Sequence, residues 1–580
     1  MESNEKLANK RHTLAHLLAA SMRDLYPDAQ NAIGPAVDNG FYQDFEMEEA
    51  ISDADLPKIE KKMKDKLKEW KSFERKEVGK IDALKEFSWN KYKSELIEEF
   101  AKEGKDMTFY TVGGFVDLCK GGHSENPSKD IDPDSFKLSR VAGAYWRGDE
   151  KNKMLTRIYG LAFESKEELE AYEKQMEEAK KRDHKIIGKE MGLFVFSPLV
   201  GAGLPLWTPK GTIIRDLLDG FVWELRRKKG YQKVTIPHIT KKELYETSGH
   251  WDKFANDLFR IHTREDHLYA MKPMNCPHHT QIFDAEQRSY RDMPQRYAET
   301  TMVYRDEQSG ELSGLSRVLS ITQDDAHVFC RESQIEEEAL AIWDIVETFS
   351  KTFGFDLKVR FSRHDPAQKG NYLGESDVWQ KAESALESIM KQKGVEWIDG
   401  LGEAAFYGPK IDFIAKDSIG RVLQVATIQL DFNQPKNFNL FCINEKGEKE
   451  QVVMIHAAIM GSIERFMSTL IEHTAGIFPL WLSPIQVKVI PIGENEIPYA
   501  EEFLKLLKTN DIRAEIDLGN DSFGKKIRNA KTEKIPYLAV IGKKEVESGA
   551  VTLESRTGSL GALSQDEILR KLLEEIKDRK

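Results

Sequence analysis

The first chemistry the chain offers is two closely spaced pairs of metal-ligand or proton-transfer side chains. His12 and His16 lie four residues apart in KRHTLAHLLAASMRDL, a run compatible with a helix. That spacing stacks both imidazoles on one helical face. Cys119 and His123 repeat the interval in DLCKGGH. If both pairs are helical, the four side chains make a good zinc quartet. The same four also suit a metal-free hydrolytic site, with imidazoles positioning a water and a thiol touching the substrate. Spacing leaves the choice open.

Further along, Cys276 stands in MKPMNCPHH, His327 in TQDDAHVFC and His456 in MIHAAIMGS. Their separation links them to nothing, and His278 and His279 are equally eligible ligands. Cys330 and Cys442 lie in apolar surroundings and read as core residues. The stretch YRDEQSGELSGLSRV brackets a turn at Ser309 and Gly310 with Arg305, Glu307 and Arg317. Arginine forks grip phosphate oxygens and a carboxylate accepts from an exocyclic amine, so such a hairpin suits a nucleotide. Arg465 follows Glu464 on a helical pattern in GSIERF. Surface ion pairs are the competing reading of each piece. The segment GNDSFGKK imitates a phosphate loop, but Lys526 occupies the place of the magnesium-binding hydroxyl. Its cations, Lys525, Lys526, Arg528, Lys531 and Lys534, better suit RNA phosphates.

Elements that could position these groups fall into three blocks, 1–185, 186–482 and 483–580. In the first, Ile59, Met63, Leu67 and Trp70 have helical spacing within 56–76, and 165–185 reads as a charged linking helix. The second alternates strands at 422–430 and 451–456 with helices at 211–229 and 332–353. The third reads strand, helix, strand, helix, strand, helix, with strands at 487–492, 514–518 and 537–541. At 580 residues, several cores are expected. Four scattered cysteines make no disulfide framework, and the charged N-terminus is no secretory signal. No run reaches membrane-spanning length, so a cytoplasmic protein without membrane attachment is expected. A net charge of −12 excludes a nonspecific nucleic-acid coat. The last block, with 17 basic and 17 acidic residues from 485 on, is neutral by contrast.

In this order, KRHTLAH, DLCKGGH, MKPMNCPHH, YRDEQSGELSGLSRV, TQDDAH, YGPKIDF, QVATIQLDF, IHAAIMGSIERF and KIPYLAVIGKKEVESG resemble the class II threonyl-tRNA synthetases, over nearly the whole chain. Class I signatures are absent. The resemblance implies an α+β multidomain fold: an editing domain with linker helix (1–185), an antiparallel-sheet class II catalytic domain (186–482) and an α/β anticodon-binding domain (483–580). It implies one Zn²⁺ per chain on Cys276, His327 and His456, with an open position for the threonine hydroxyl and amino groups. It assigns Arg305, Glu307, Arg317 and Arg465 to ATP, which enters with Mg²⁺. Gln323, Asp325, Tyr407 and Gln429 would surround threonine, and Lys410 would meet the developing charge. His12, His16, Cys119 and His123 would clear seryl-tRNA without metal, and Arg528 and Glu545 would touch the anticodon. Partners would be tRNA(Thr), ATP, L-threonine and a second copy joined through 201–237.

Three departures from the family pattern stand out. The ubiquitin-like domain that precedes the editing domain in many members is expected to be missing. Gly122 replaces a usual proline, and Ala457 replaces the arginine that commonly follows the zinc histidine, so that arginine's supporting role would be lost. The rival readings are a free-standing trans-editing hydrolase and a non-enzymatic regulator descended from a synthetase.

Overall fold

The computed structural model describes residues 2–579 except Asp106, Glu150, Ser418 and Ile419. It divides into two compact units, 1–177 and 178–580.

The first unit is built on helix α1 (Glu2–Leu25), whose inner face buries Leu14, Leu17, Leu18 and Met22. This face covers β1 (Gly40–Glu46) and packs beside α2 (Leu56–Leu67). A smaller three-stranded sheet pairs Glu74–Glu77 with β2 (Thr108–Val112) and then β3 (Phe115–Leu118). β4 (Phe136–Tyr145) and β5 (Met154–Ala162) complete the main sheet beside β1. The helical spacing read through Trp70 overran the element. α2 stops at Leu67, and Trp70 fills the core from the turn beyond it, 1% exposed. The proposed linking helix likewise breaks: Lys166–Lys181 ends, and Asp183 accepts a hydrogen bond from Lys185 N to start His184–Glu190.

In the second unit, α3 (Pro209–Lys228) is capped by Thr208 and opened by proline at its first position. A Cβ on its Gly211 would lie 2.0 Å from Leu193 O, so only glycine permits that approach. Next come β6 (Gln232–Lys233), α4 (Cys276–Asp284), β7 (Gln295–Tyr304) and β8 (Ser320–Cys330). β9 (Leu357–Arg363), β10 (Trp397–Leu401), β11 (Lys410–Lys416), β12 (Val422–Asp431) and β13 (Val453–Ala458) follow, then α5 (Ile463–Thr474). The eight strands form one sheet in the order β6-β7-β8-β13-β12-β11-β9-β10. β6–β7 and β9–β10 are parallel and the other pairs antiparallel.

Successive strand residues point to opposite faces. On β8 this puts Gln323, Asp325 and His327 on one face. Asp324, Ala326 and Val328 share the other, and Ala326 and Val328 join the core cluster of Leu218 and Val222 on α3. Register then lines up Lys410, Gln429, His456 and His327 across β11, β12, β13 and β8.

The last block packs β14 (Val487–Pro491), α6 (Ile497–Thr509), β15 (Ala514–Ile516), α7 (Phe523–Thr532) and β16 (Tyr537–Ile541) as parallel α/β structure. Two strands absent from the sequence reading follow, the antiparallel β17 (Ala550–Ser555) and β18 (Gly558–Ser564), before α8 (Gln565–Lys577). β18 is an edge strand exposed along almost its whole length, so it shows no apolar alternation to read.

Candidate active sites and the metal cluster

In the second unit, the loop between β7 and β8 carries Arg305, Glu307 and Arg317 over a cavity of about 500 Å³, which Gln323, Gln429 and Arg465 also line. Arg305 is largely enclosed: its Nε has no hydrogen-bond partner, its guanidinium lies 5.4 Å from the Phe254 ring, and burial lowers its pKa. A cation held this way is poised for an anion entering the cavity. Arg317 instead forks onto Glu307 Oε2 at 2.8 and 2.6 Å and reaches Glu311 at 3.0 Å. α5 starts from a Ser462 cap, and Glu464 turns inward to accept from Thr322 N at 2.8 Å. Its neighbour Arg465 is thereby left exposed at the cavity rim.

Beside this cavity, Cys276, His327 and His456 come together, with their ligand atoms within 4.8 Å of one another and all three buried. His327 Nε2 and His456 Nδ1 face each other at 3.1 Å. Two nitrogens about 2.0–2.1 Å from one tetrahedral zinc lie at roughly this separation. The outer nitrogens are engaged too: His327 Nδ1 lies 2.8 Å from His279 Nδ1, and His456 Nε2 lies 3.0 Å from Asp431 Oδ2. Such outer partners orient imidazoles for a metal. Burial pushes His327 well below the ordinary imidazole range, leaving it neutral as a ligand must be. The donor set therefore fits zinc. Sequence left His278 and His279 as equal candidates. In the structure both lie outside the trio, and His279 meets the outer nitrogen of His327.

Around the trio, the Tyr407 ring stacks on His456 with centroids 4.7 Å apart, and its hydroxyl donates to Gln429 Oε1 at 2.5 Å. Asp325 accepts from Asn275 Nδ2 at 3.0 Å, and burial pushes its carboxyl up to about 6. Lys410, cross-strand from Gln429, donates to Asp412 at 2.8 Å. The backbone next to His456 has a cationic neighbour of its own. Arg226, from α3, donates to Ala457 O at 3.3 Å. Sequence reasoning missed Arg226, Asp431 and Asn275. Asp431, in QLDFNQ two residues past Gln429, could have been found from strand alternation alone.

In the first unit, α1 presents His12 and His16 as expected, but Cys119 and His123 are not helical. They sit on a loop in which Gly121 and Gly122 take φ of +101° and +84°. Proline cannot adopt that φ, so Gly122 builds a turn unavailable to the usual residue. His12 Nε2 lies 3.0 Å from Cys119 Sγ and 3.2 Å from His16 Nε2, while His123 Nε2 is 3.4 Å from the sulfur. His16 Nδ1 lies 3.0 Å from Asp117 Oδ2, and Lys93 pairs with Asp117 at 2.6 Å in a buried setting. Burial alone would lower the His16 pKa, but Asp117 and Cys119 raise it to about 9. Burial would raise the thiol, yet His12, His123 and His16 bring Cys119 down to about 3. Burial would also raise Asp117, but Lys93 and His16 hold it below the usual carboxylate range. The cluster is thus a thiolate–imidazolium pair on a cavity of about 440 Å³. Asp117 and Lys93 were missed in the sequence. Asp117 lies two residues before Cys119, where a strand reading of β3 would have set it inward.

In the last block, Arg528, Lys531 and Lys534 line a surface depression with Glu190. Lys526 turns inward onto Asp517 O at 2.9 Å and leaves the basic patch. Glu545 is occupied locally, accepting from Gly542 N at 2.9 Å and Thr552 Oγ1 at 2.8 Å.

A family profile for the tRNA synthetase class II core domain (G, H, P, S and T) matches residues 259–474. An anticodon binding domain profile matches 486–575, and the threonyl and alanyl tRNA synthetase second additional domain matches 107–159. The chain is 46% identical over 577 residues to the threonine–tRNA ligase of Cytophaga hutchinsonii, covering 97% of this chain and 88% of that one. It belongs to the threonyl-tRNA synthetase family. The Bacteroides fragilis and Deinococcus radiodurans threonine–tRNA ligases are 47% and 44% identical, each over 98% of this chain and 88% and 89% of their own. A structure described as the RNA binding domain of threonyl-tRNA synthetase from Cryptosporidium parvum superposes with TM-score 0.65 at 34% identity, over 68% of this chain and 98% of that one. A putative threonyl-tRNA synthetase from Aeropyrum pernix gives 0.61 at 29%, over 68% and 97%. A synthetase with core, anticodon and editing-type domains is more than a free-standing hydrolase.

Proposed function

We propose that this protein joins L-threonine to tRNA(Thr) through threonyl-adenylate made from ATP, and hydrolyses mischarged seryl-tRNA(Thr) in its N-terminal unit. The observation that carries the reading is the row Gln429, His456 and His327, with Cys276 beside it, next to a cavity lined by Arg305 and Arg465. It is a polar, cation-lined space adjoining a buried trio of possible metal ligands. The domains follow as 1–185 for editing and linker, 186–482 for catalysis and 483–580 for anticodon binding.

In this reading Arg305 holds the α-phosphate, Arg465 the γ-phosphate and Glu307 the adenine amine, with Arg317 swinging from Glu307 to phosphate as ATP and Mg²⁺ enter. Attack of the threonine carboxylate on the α-phosphorus needs charge stabilisation without a covalent intermediate, and these cations with Lys410 supply it. Gln323, Asp325, Tyr407 and Gln429 orient threonine. Cys276, His327 and His456 would hold zinc, which would supply a Lewis acid for the threonine hydroxyl and amino groups. An apolar pocket would separate threonine from isosteric valine by only about 10²-fold, so an oxygen-seeking site serves the discrimination. Serine keeps the hydroxyl, and that creates the need for hydrolysis elsewhere. There His12, His16 and His123 orient water toward the ester, and the Cys119 thiolate faces the substrate. Arg528 meets RNA phosphates and Glu545 the anticodon. Exposed Val195, Phe196, Leu199, Val200 and Leu206 flank the start of α3 and fit a homodimer through 201–237. No helix among the described residues is long and apolar enough to cross a membrane, in keeping with a cytoplasmic enzyme.

ATP–pyrophosphate exchange with three amino acids tests the reading. Exchange is expected with threonine, weakly with serine and not with valine. Comparable valine-driven exchange would remove the hydroxyl-reading metal from the scheme.

A further inference from the structure

One cation is sealed beneath the catalytic sheet, on the face away from the substrate cavity. Arg226, in the last turn of α3, is 2% exposed. Its guanidinium lies 2.5 Å from Asp324 Oδ1, 3.5 Å from Asp325 O and 3.3 Å from Ala457 O. The two carbonyls belong to different strands. Asp325 is two residues before His327 on β8, and Ala457 directly follows His456 on β13. Asp324, itself 0% exposed, spreads the tie further. Its Oδ2 accepts from Ile459 N at 2.8 Å and Met460 N at 2.9 Å, and its backbone N donates to Gly461 O at 2.9 Å. The guanidinium of α3 thus touches both β8 and β13, and its ion-pair partner Asp324 carries the connection to the turn that leads into α5.

A buried ion pair is a poor device for stability alone, since well-packed apolar residues often replace it without loss. What a planar fork adds over apolar packing is direction, because it fixes several acceptors in one plane at set distances. The two acceptors on strands flank the histidines whose nitrogens face each other at 3.1 Å. Ligand geometry of this kind tolerates errors of only about 0.5 Å.

We propose that Arg226 is a positioning residue for the metal cluster, holding β8 and β13 in the offset that aims His327 and His456 at one point. The proposal rests on reading Cys276, His327 and His456 as a zinc site. Its test separates the two. Zinc content of the purified full-length protein comes first, and a wild-type chain without zinc overturns the metal reading and this inference with it. Release of zinc to a chelating dye is then timed in wild type, Arg226→Met, Arg226→Lys and the double variant Arg226→Met with Asp324→Asn, with folding followed by thermal unfolding. Lysine keeps the charge opposite Asp324 but cannot fork to both strands, and the double variant removes the unpaired carboxylate that the methionine alone would bury. Zinc release about tenfold faster is expected in all three, the lower end of what outer partners of metal ligands command. Wild-type release in Arg226→Lys, or its return to the wild-type rate in the double variant, would show that charge balance alone matters and overturn the proposal. A lowered unfolding temperature with unchanged release in the folded protein would do the same.

Discussion

Cys119 and Cys276 each sit among histidine nitrogens, but their surroundings drive them to opposite states. Around Cys119, the buried Asp117 raises the His16 pKa, and hydrogen bonds from His12, His123 and His16 lower that of the thiol. The carboxylate is three contacts removed from the sulfur, through His16 and His12. Around Cys276, burial dominates. It holds His327 and His279 neutral and pushes the thiol well above its ordinary range in the protein alone. The first cluster balances its own charges and opens on a cavity. Among the described residues no cation is paired with the second sulfur, and a divalent ion would supply one. Residue type and mutual distance do not separate the two, since both sets lie within 4.8 Å. The partners behind them do.

The sharpest way to break this contrast is to count zinc. One zinc per chain is expected by elemental analysis. Cys276→Ser should remove it and abolish threonine-dependent exchange, while Cys119→Ser should keep it and impair only clearance of seryl-tRNA. Two zincs, or loss of zinc in Cys119→Ser, would reverse the assignment. Arg465→Ala comes next: exchange should fall by about 10²–10³-fold, as when a group stabilising transition-state charge is removed. Deacylation of seryl-tRNA should be untouched, and equal loss of both activities in a folded variant would contradict separate sites. Asp431→Asn should weaken zinc binding by roughly 10–100-fold, measured by chelator competition, because the His456 imidazole loses its carboxylate.

The smallest effect concerns pH. With Cys119 near 3 and His16 near 9, the thiolate–imidazolium state persists between those values. Deacylation should hold steady through neutrality and fall as pH rises through about 9, where His16 loses its proton. Asp117→Asn removes a charge that raises the His16 pKa, so the alkaline fall should move to lower pH. A profile left in place would show that Asp117 does not set the charge of His16.

Much of the catalytic unit was legible in the sequence because its groups are carried by regular strands and caps. Strand alternation alone puts Gln323, Asp325 and His327 on one face, and the β12 and β13 segments were recognisable from their apolar runs. The linkage of Cys276, His327 and His456 was not legible from spacing, since it depends on strand register across residues 129 apart in the case of the two histidines. Resemblance supplied it. The four-residue interval of Cys119 and His123 is compatible with a helix, but Gly121 and Gly122 take positive φ and make it a loop.

Local sequence determined where α3 and α5 begin, through the Thr208 and Ser462 caps, and which face of α1 is apolar. It also determined which residues could ligate a metal or grip phosphate. Tertiary structure decided which thiol is ionised and which histidines are neutral. It placed Asp117, Lys93, Asp431 and Arg226 behind groups distant from them in the chain. The physical reason is that pKa and ligand geometry depend on desolvation and on charges within a few ångströms. Neither is encoded by any short stretch of residues.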